Sequence, residues 1–276
     1  MSNHSFEFPA IPANSFATTA APPGWQVHGG PINFGARTIG VLDPAGSTLY
    51  AEPPPHGENV GVVFLMDNQA NQTNFARIEA GLRQTLASTL QTRRRYTLRV
   101  EVGNIANDLQ APFLFGGFPN YRIDLLAGTN VLASDNNSLL PGEGRFLTST
   151  VTVAIAASHP FAGQPLGIRL VNLNSAPGIE VNWDNVRLES SPIPPPTLFI
   201  THETLIGRIR LSWPDSGDGR FSIESTVDLG APIAWSPLPG APVLNAGTWS
   251  LSIPTPSEPR YFRLRKETLA SPAVTW

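Results

Sequence analysis

The sequence predicts an all-β protein in two consecutive parts, and three observations carry that expectation: an excess of turn formers, a shortage of charge, and apolar residues arriving in short bursts. Among 276 residues there are 28 Pro and 24 Gly, with 41% hydrophobic and only 14% charged residues. Average soluble chains carry about 12% Pro plus Gly and about 25% charge. This balance excludes coiled coils, helix bundles and solvated charged tails, and the plentiful apolar bursts exclude disorder. Short apolar segments punctuated by turns read as many short strands.

The elements follow in chain order. Val60 to Leu65 is a continuous apolar burst after the turn Pro53-Pro54-Pro55-His56-Gly57. Between 78 and 90 two periods compete: Ile78, Leu82, Leu86 and Leu90 recur every four residues, while Ile78, Ala80, Leu82, Gln84 and Leu86 alternate. Gly81 costs a helix roughly 1 kcal/mol, so the segment reads as a strand. Tyr96, Leu98, Val100 and Val102 alternate on one face of the next strand. Tyr121 to Leu126, Thr148 to Ile155, Gly167 to Leu173 and Ile179 to Leu188 complete the series, each bounded by Gly, Pro or Asn. Strands at this spacing suggest a sandwich or jelly roll.

Ser191-Pro192-Ile193-Pro194-Pro195-Pro196 breaks the chain. Consecutive prolines favour an extended spacer and cannot sit in a helix or a central strand. The expected organisation is therefore a domain over 1–190, a Pro-rich linker over 191–196 and a smaller domain over 197–276. In the latter, Ile209 to Trp213, Phe221 to Ser225, Trp235 to Leu238, Thr248 to Ile253 and Arg260 to Leu264 read as strands of a small immunoglobulin-like β-sandwich.

Charge and composition narrow the function. A net charge of −3 with a pI near 5.9 offers no basic face to nucleic acid. No apolar run approaches the roughly 18 to 20 residues that span a bilayer. With no Cys, disulfides, thiol catalysis and Cys-based metal sites are excluded. The start, MSNHSFEFP, lacks the basic and apolar regions of a signal peptide. A G-x-S-x-G elbow, a phosphate-binding Gly-rich loop and a His pair at metal-binding spacing are all missing. Asp215 to Gly219 reads as an Asp/Gly turn, since it lacks the alternating ligands and distal Glu of a calcium loop.

Two carboxylates attract attention by position. Glu7 closes NHSFE at the start of the first domain, and Asp184 lies in VNWDNVRL, its last strand. First and last strands of a jelly roll often pair, which would bring these residues together. A carboxylate from each, with backbone carbonyls, is the oxygen set Ca²⁺ prefers; an exposed position in the last strand is the plainer alternative for Asp184. The loop from Leu109 to Tyr121 is a second attraction, since Phe113, Phe115, Phe118 and Tyr121 crowd a Gly/Pro-rich segment. Such a loop buries its apolar residues in its own core, in a dimer interface or around a ligand. Phe64, Trp25 and Trp183 are candidate companions.

Several motifs also carry a resemblance. NHSFE, Pro22-Pro23-Gly24-Trp25, LRQTLASTL with YTLRVEVGN, YRIDLLAGTNVLASDNN, GQPLGIRLVNLN and EVNWDNVRL together resemble the Stig cyclase family, the calcium-dependent jelly-roll cyclases of hapalindole and fischerindole biosynthesis. Related secreted bacterial jelly-roll proteins share them. The likeness covers about residues 3–190. It implies a carbohydrate-binding-module-like jelly roll, Ca²⁺ held by Glu7 with backbone oxygens, and Asp184 as the acid of a Cope rearrangement and cyclisation. Substrate would be an apolar indole–isoprenoid type of molecule in a cavity lined by Phe64, Phe113, Phe115, Phe118, Tyr121 and Trp25. Asp184 has calcium ligation as its alternative role, and the two conflict, because an acid must keep its proton while Ca²⁺ would lower its pKa. A homodimer and a secreted, periplasmic or cell-surface location are also implied. Residues 197–276 have no counterpart in the single-domain cyclases. They favour a second reading, a non-catalytic secreted protein that binds glycans or serves surface display.

Overall fold

In the computed structural model, residues 1–29, 37–66, 79–106, 115–156, 158–216 and 220–267 are described. Among them, strands are the dominant regular element, with one short 3₁₀ turn at Thr204–Ile206. The chain divides into two compact units. The first comprises Met1–Gln91, Arg95–Val153 and Pro160–Ser191; the second begins at Pro192 and also takes Thr92–Arg94 and Ala154–His159.

The strands of the first unit are β1 (Ser15–Ala17), β2 (Gln26–Gly29), β3 (Arg37–Asp43), β4 (Val60–Leu65), β5 (Ala80–Thr89), β6 (Arg94–Asn104), β7 (Tyr121–Ala127), β8 (Asn130–Asn136), β9 (Arg145–Ile155), β10 (Pro165–Asn172) and β11 (Glu180–Pro192). They form a six-stranded sheet ordered β1-β3-β4-β11-β6-β9 and a five-stranded sheet ordered β2-β5-β10-β7-β8. Strands β3 and β4 contact β5 and β10 across the two sheets. Period-two alternation then assigns every side chain a face. In β11, Val181 and Trp183 pair with Val63 and Gly61 of β4 and face the other sheet, where Trp183 meets Tyr121 edge-on at 6.1 Å. Val60, Val62 and Phe64 point the other way, into a second apolar layer outside the six-stranded sheet.

The segment with competing periods is a strand, β5, in which Leu82 and Gln84 are buried and Arg83 is exposed. A side chain at Gly81 would collide with the Leu170 carbonyl of neighbouring β10. This glycine is present because two backbones approach closely.

The expected pairing of first and last strands does not occur. β1 pairs with β3 at the sheet edge, with β4 between β3 and β11. The chain start reaches β11 as an irregular segment instead, through one hydrogen bond from Val186 N–H to the His4 carbonyl at 2.8 Å. β11 also runs on to Pro192, so the first two residues of the 191–196 stretch continue the strand.

In the second unit, β12 (Phe199–Glu203), β13 (Arg208–Pro214), β17 (Thr248–Pro254) and β16 (Val243–Asn245) form one sheet in that order. β15 (Ser236–Pro237), β14 (Phe221–Thr226) and β18 (Tyr261–Lys266) form the other. Ile209, Leu211, Trp213 and Ile223 are its buried core. The order β12-β13-β17-β16 is the A-B-E-D order of an immunoglobulin-type sandwich.

Candidate functional site

The site is built on β11. Glu180 and Asn182 pair with Phe64 and Val62 of β4, so they and Asp184 point outward from the six-stranded sheet, into the second apolar layer. An outward polar row on a strand is ordinarily solvated. Here the covering segments bury it: Glu180 is 6% exposed, and Asn182 and Asp184 are fully buried. The layer above holds Tyr50, Phe64, Ile105, Phe115 and Ile179, with Leu49 and Phe146 packed against it. Phe64 and Phe115 lie 6.0 Å apart and tilted, while Tyr50 and Phe146 stack at 4.5 Å. Gly103 leaves the room this requires, since a Cβ there would run into Phe146 and the Tyr50 hydroxyl.

Alternation breaks just after Asp184. Asn185 has φ of 48°, a left-handed conformation, and the odd-numbered Arg187 and Glu189 then take the outward face, reaching Glu101 and Arg99 of β6. This is the effect of a β-bulge, which re-aims side chains and is frequent beside active sites. It also turns the Asn185 N–H onto Asp184 Oδ1 at 2.5 Å. The His56 N–H donates to Oδ2 at 2.7 Å. Burial pushes the Asp184 carboxyl up to about 8, against the pull of those two N–H groups and helped by the Glu7 and Glu101 charges.

The other end of the row has its own chain of bonds. The Tyr50 hydroxyl donates to Asn182 Oδ1 at 2.5 Å, and Asn182 Nδ2 donates to Glu180 Oε1 at 2.8 Å. Burial pushes Glu180 up to about 7, opposed by the Asn182 bond, and pushes the Tyr50 phenol well above its usual value. Tyr50 also lines an outer cleft of about 270 Å³ between the 44–47 turn and Ala51–Pro54.

Glu7 meets Asp184 over one turn. Its carboxylate accepts from the N–H groups of Glu58 and Asn59, each at 3.2 Å, two and three residues after the His56 that serves Asp184. Asn59 Nδ2 in turn donates to the carbonyls of Phe6 and Pro9. Trp25 fastens the same segment: its ring stacks on Phe6 at 5.2 Å, and its Nε1–H donates to the Asn3 carbonyl at 3.0 Å. Gln84 completes the tether with bonds to Ser2 and Gly24.

The residues singled out in the sequence thus separate into three places. Phe64 and Phe115 share the outward layer with the polar row. Phe118 and Tyr121 pack together at 6.1 Å, and Tyr121 continues into the sandwich interior against Trp183, its hydroxyl bonded to Asp135. Trp25 serves the chain start. Phe113 lies outside the described residues. Sequence reading missed Tyr50, Asn182 and Glu180. The signal for the last two was present in EVNWD, where polar and apolar residues alternate in a strand that also holds Asp184.

Calcium takes six to eight oxygens. Among the described residues, no group of three or more His, Asp or Glu could hold a metal ion. Glu7 is half-buried beside a carbonyl-rich chain start and Asp184 is fully buried, and each accepts backbone N–H groups on both carboxylate oxygens, Glu7 from Glu58 and Asn59 and Asp184 from His56 and Asn185.

Comparison with known proteins locates this arrangement. The model of the HpiC1-like family, described as HpiC1 cyclase, matches residues 1–189. A Stig cyclase, Fisc from Fischerella sp. TAU, in complex with (3Z)-3-(1-methyl-2-pyrrolidinylidene)-3H-indole, is 35% identical with a TM-score of 0.64, over 70% of this chain and 97% of that one. An apo cyclase from Fischerella sp. is 34% identical, TM-score 0.64, over 71% and 96%. A cyclase from Fischerella sp. TAU in complex with 4-(1H-indol-3-yl)butan-2-one is 35% identical, TM-score 0.64, over 71% and 98%. No curated protein matches. The first unit, sandwich and outward layer together, spans nearly the whole of each of these cyclases, and the chain belongs to the HpiC1-like cyclase family.

Proposed function

We propose that the first unit binds an apolar indole–isoprenoid type of molecule in the outward layer of the six-stranded sheet and catalyses its acid-assisted rearrangement and cyclisation. The observation that carries this reading is Asp184: a fully buried carboxyl, pushed above its ordinary value by burial, on the strand face that also bears the aromatic layer. Family membership and the indole ligands of the Fischerella cyclases support the substrate class.

The chemistry follows from those groups. Asp184 transfers its proton to the substrate, and the N–H groups of His56 and Asn185 already point at the oxygens that become negative. The rings of Phe64 and Phe115 face developing positive charge and stabilise it by cation–π attraction. Exclusion of water keeps the cation from being quenched before the ring closes. Loss of a proton from the cyclised cation to Asp184 restores the acid, so the reaction is an isomerisation with no net redox change. Calcium, when bound, supplies a clamp on the chain start, held by Glu7 with neighbouring backbone carbonyls.

The glycan-binding alternative asks for a stacking platform. The open face of the five-stranded sheet presents Gln26, His28, Arg83, Arg169 and Arg122 among the described residues, which suits it poorly. We extend the reading to a homodimer in a secreted or periplasmic setting, which light scattering and cell fractionation would check. The deciding experiment is incubation with indole–isoprenoid substrates in the presence of calcium, with Asp184→Ala as control. Turnover lost in the variant supports the assignment; no turnover by the native protein sinks the enzymatic reading.

A further inference from the structure

The second unit lies beyond residues 1–189, which the cyclase family matches, and its three-stranded sheet carries polar chemistry of its own. Ile223 of β14 is in the core, with Phe262 and Leu264 of β18 packed against it, so Glu224 and its cross-strand partner Arg263 take the outer face. Arg265 joins them there. Glu224 is only 2% exposed: Arg263 donates to Oε2 through Nε at 2.8 Å, with Nη2 2.6 Å away, and Arg265 Nη1 donates to Oε1 at 2.8 Å. Hydrogen bonds from Arg265 and Arg263 hold the carboxyl below its ordinary value, so it is an anion. One arginine would neutralise it. The face holds two, which leaves one positive charge unbalanced, and Arg263 Nη1 and Arg265 Nε and Nη2 have no acceptor among the described residues. Arg263 is also fixed in direction, its guanidinium 4.3 Å over the ring of Trp235. Tyr261, 46% exposed, stands two residues before it on the same face.

A cleft of about 370 Å³ continues this face at one end, bounded by Thr226, Asp228, Pro232, Ser236, Pro237 and Arg260. Thr226 lies about 7 Å along β14 from Glu224, so one ligand reaches both the cleft and the guanidiniums. Asp228 spends Oδ1 on the Gly230 N–H at 2.8 Å, and Arg260 enters no ion pair among the described residues. Hydroxyls, a carboxylate and a guanidinium between proline walls suit a molecule with hydroxyls round its edge and apolar ring faces, which is a sugar. The surplus of positive charge at Arg260, Arg263 and Arg265 asks that the sugar be acidic. A nucleic-acid strand would need a longer basic track than three arginines in a chain of net charge −3. We propose that the outer face of the three-stranded sheet binds an acidic glycan of the uronate class, with carboxylates on Arg263 and Arg260 and a ring in the cleft. The planar guanidinium matches a carboxylate edge to edge, and the Trp235 stack and Glu224 fix Arg263 in place before the ligand arrives. This site is independent of the chemistry of the first unit.

The test is calorimetry on the full chain with trigalacturonic acid, its methyl ester and an oligothymidylate. A hydrogen bond to a charged group corresponds to about tenfold or more in affinity. The native protein should bind the acid, and the ester more weakly by at least that factor. Arg263→Gln and Arg260→Gln should each weaken binding of the acid by about tenfold and leave the ester unchanged. Arg260 is exposed, so Arg260→Gln keeps the fold and decides the matter should Arg263→Gln fail to fold. Equal binding of acid and ester, or full affinity for the acid in Arg260→Gln, overturns the assignment. Oligothymidylate bound in preference to the acid gives the face to nucleic acid and overturns it too, as does failure of the native protein to bind the acid.

Discussion

The two sheets of the first unit each carry a buried Asp on their outer face, and the two behave in opposite ways. On the five-stranded sheet, Asp124 takes Arg169 Nε at 2.6 Å, Arg122 Nε at 3.1 Å and the Ser134 hydroxyl at 2.5 Å. Burial pushes its pKa up, but those three donors outweigh burial and hold the carboxyl below its ordinary value. On the six-stranded sheet, Asp184 has two backbone N–H donors and no cation among the described residues, so burial prevails and the carboxyl rises to about 8. Equal residue types at comparable burial are shifted in opposite directions. Partners, more than depth, set the role.

The sharpest way to break this comparison is at the two aspartates. Asp184→Asn should reduce turnover of an indole–isoprenoid substrate by about 10²- to 10⁴-fold, the usual worth of a general acid, while far-UV dichroism stays native. An unchanged rate would remove the acid from the scheme. On the other face, Arg169→Met should destabilise the fold by roughly 3 kcal/mol, because it leaves a buried carboxylate short of a partner. Urea unfolding measures this, and ligand affinity should not follow it.

The pH dependence of stability separates the faces by sign. Asp184 and Glu180 have raised values, about 8 and about 7, so the folded state keeps their protons above the pH at which the unfolded chain releases them. Stability from this source is full below about pH 4 and declines as pH rises to about 8. For Glu180 alone the decline amounts to roughly 3 kcal/mol, and Glu180→Gln should flatten the alkaline limb by that amount in pH-resolved denaturation. Asp124 has a lowered value, so its contribution is present at neutral pH and disappears as pH falls through the folded-state value. Asp124→Asn should therefore lower stability at neutral pH and flatten the acid limb. The smallest effect is expected from calcium: a chelator should lower the melting temperature by several degrees, and Glu7→Gln should abolish that difference.

Much of the fold was legible along the chain. Bursts such as Val60 to Leu65 and alternations such as Tyr96 to Val102 became β4 and β6, because period-two patterning is a local property that the sheet only has to accept. Gly81 was legible as an argument against helix, but its real cause is the Leu170 carbonyl of a strand almost ninety positions later. The aromatic residues show where such reading stops. Phe115, Phe118 and Tyr121 are close neighbours in sequence, yet Phe115 enters the outward layer while Tyr121 enters the sandwich interior. Trp25 belongs to neither, since Phe6 and the Asn3 carbonyl claim both its face and its N–H.

What the sequence determined by itself is the β character, the strand spans and the presence of Glu7 and Asp184 near the two ends of the first unit. Propensity, alternation and turn chemistry act over a few residues, so they can be read from a few residues. Only the tertiary structure decided which side chains share a packed layer and which acids burial pushes up. Burial of the row Glu180, Asn182 and Asp184 depends on covering segments from elsewhere in the chain, Tyr50 among them, and the side on which β11 presents its later residues depends on the Asn185 bulge. A strand with alternating polar residues looks solvated until another part of the protein is laid over it.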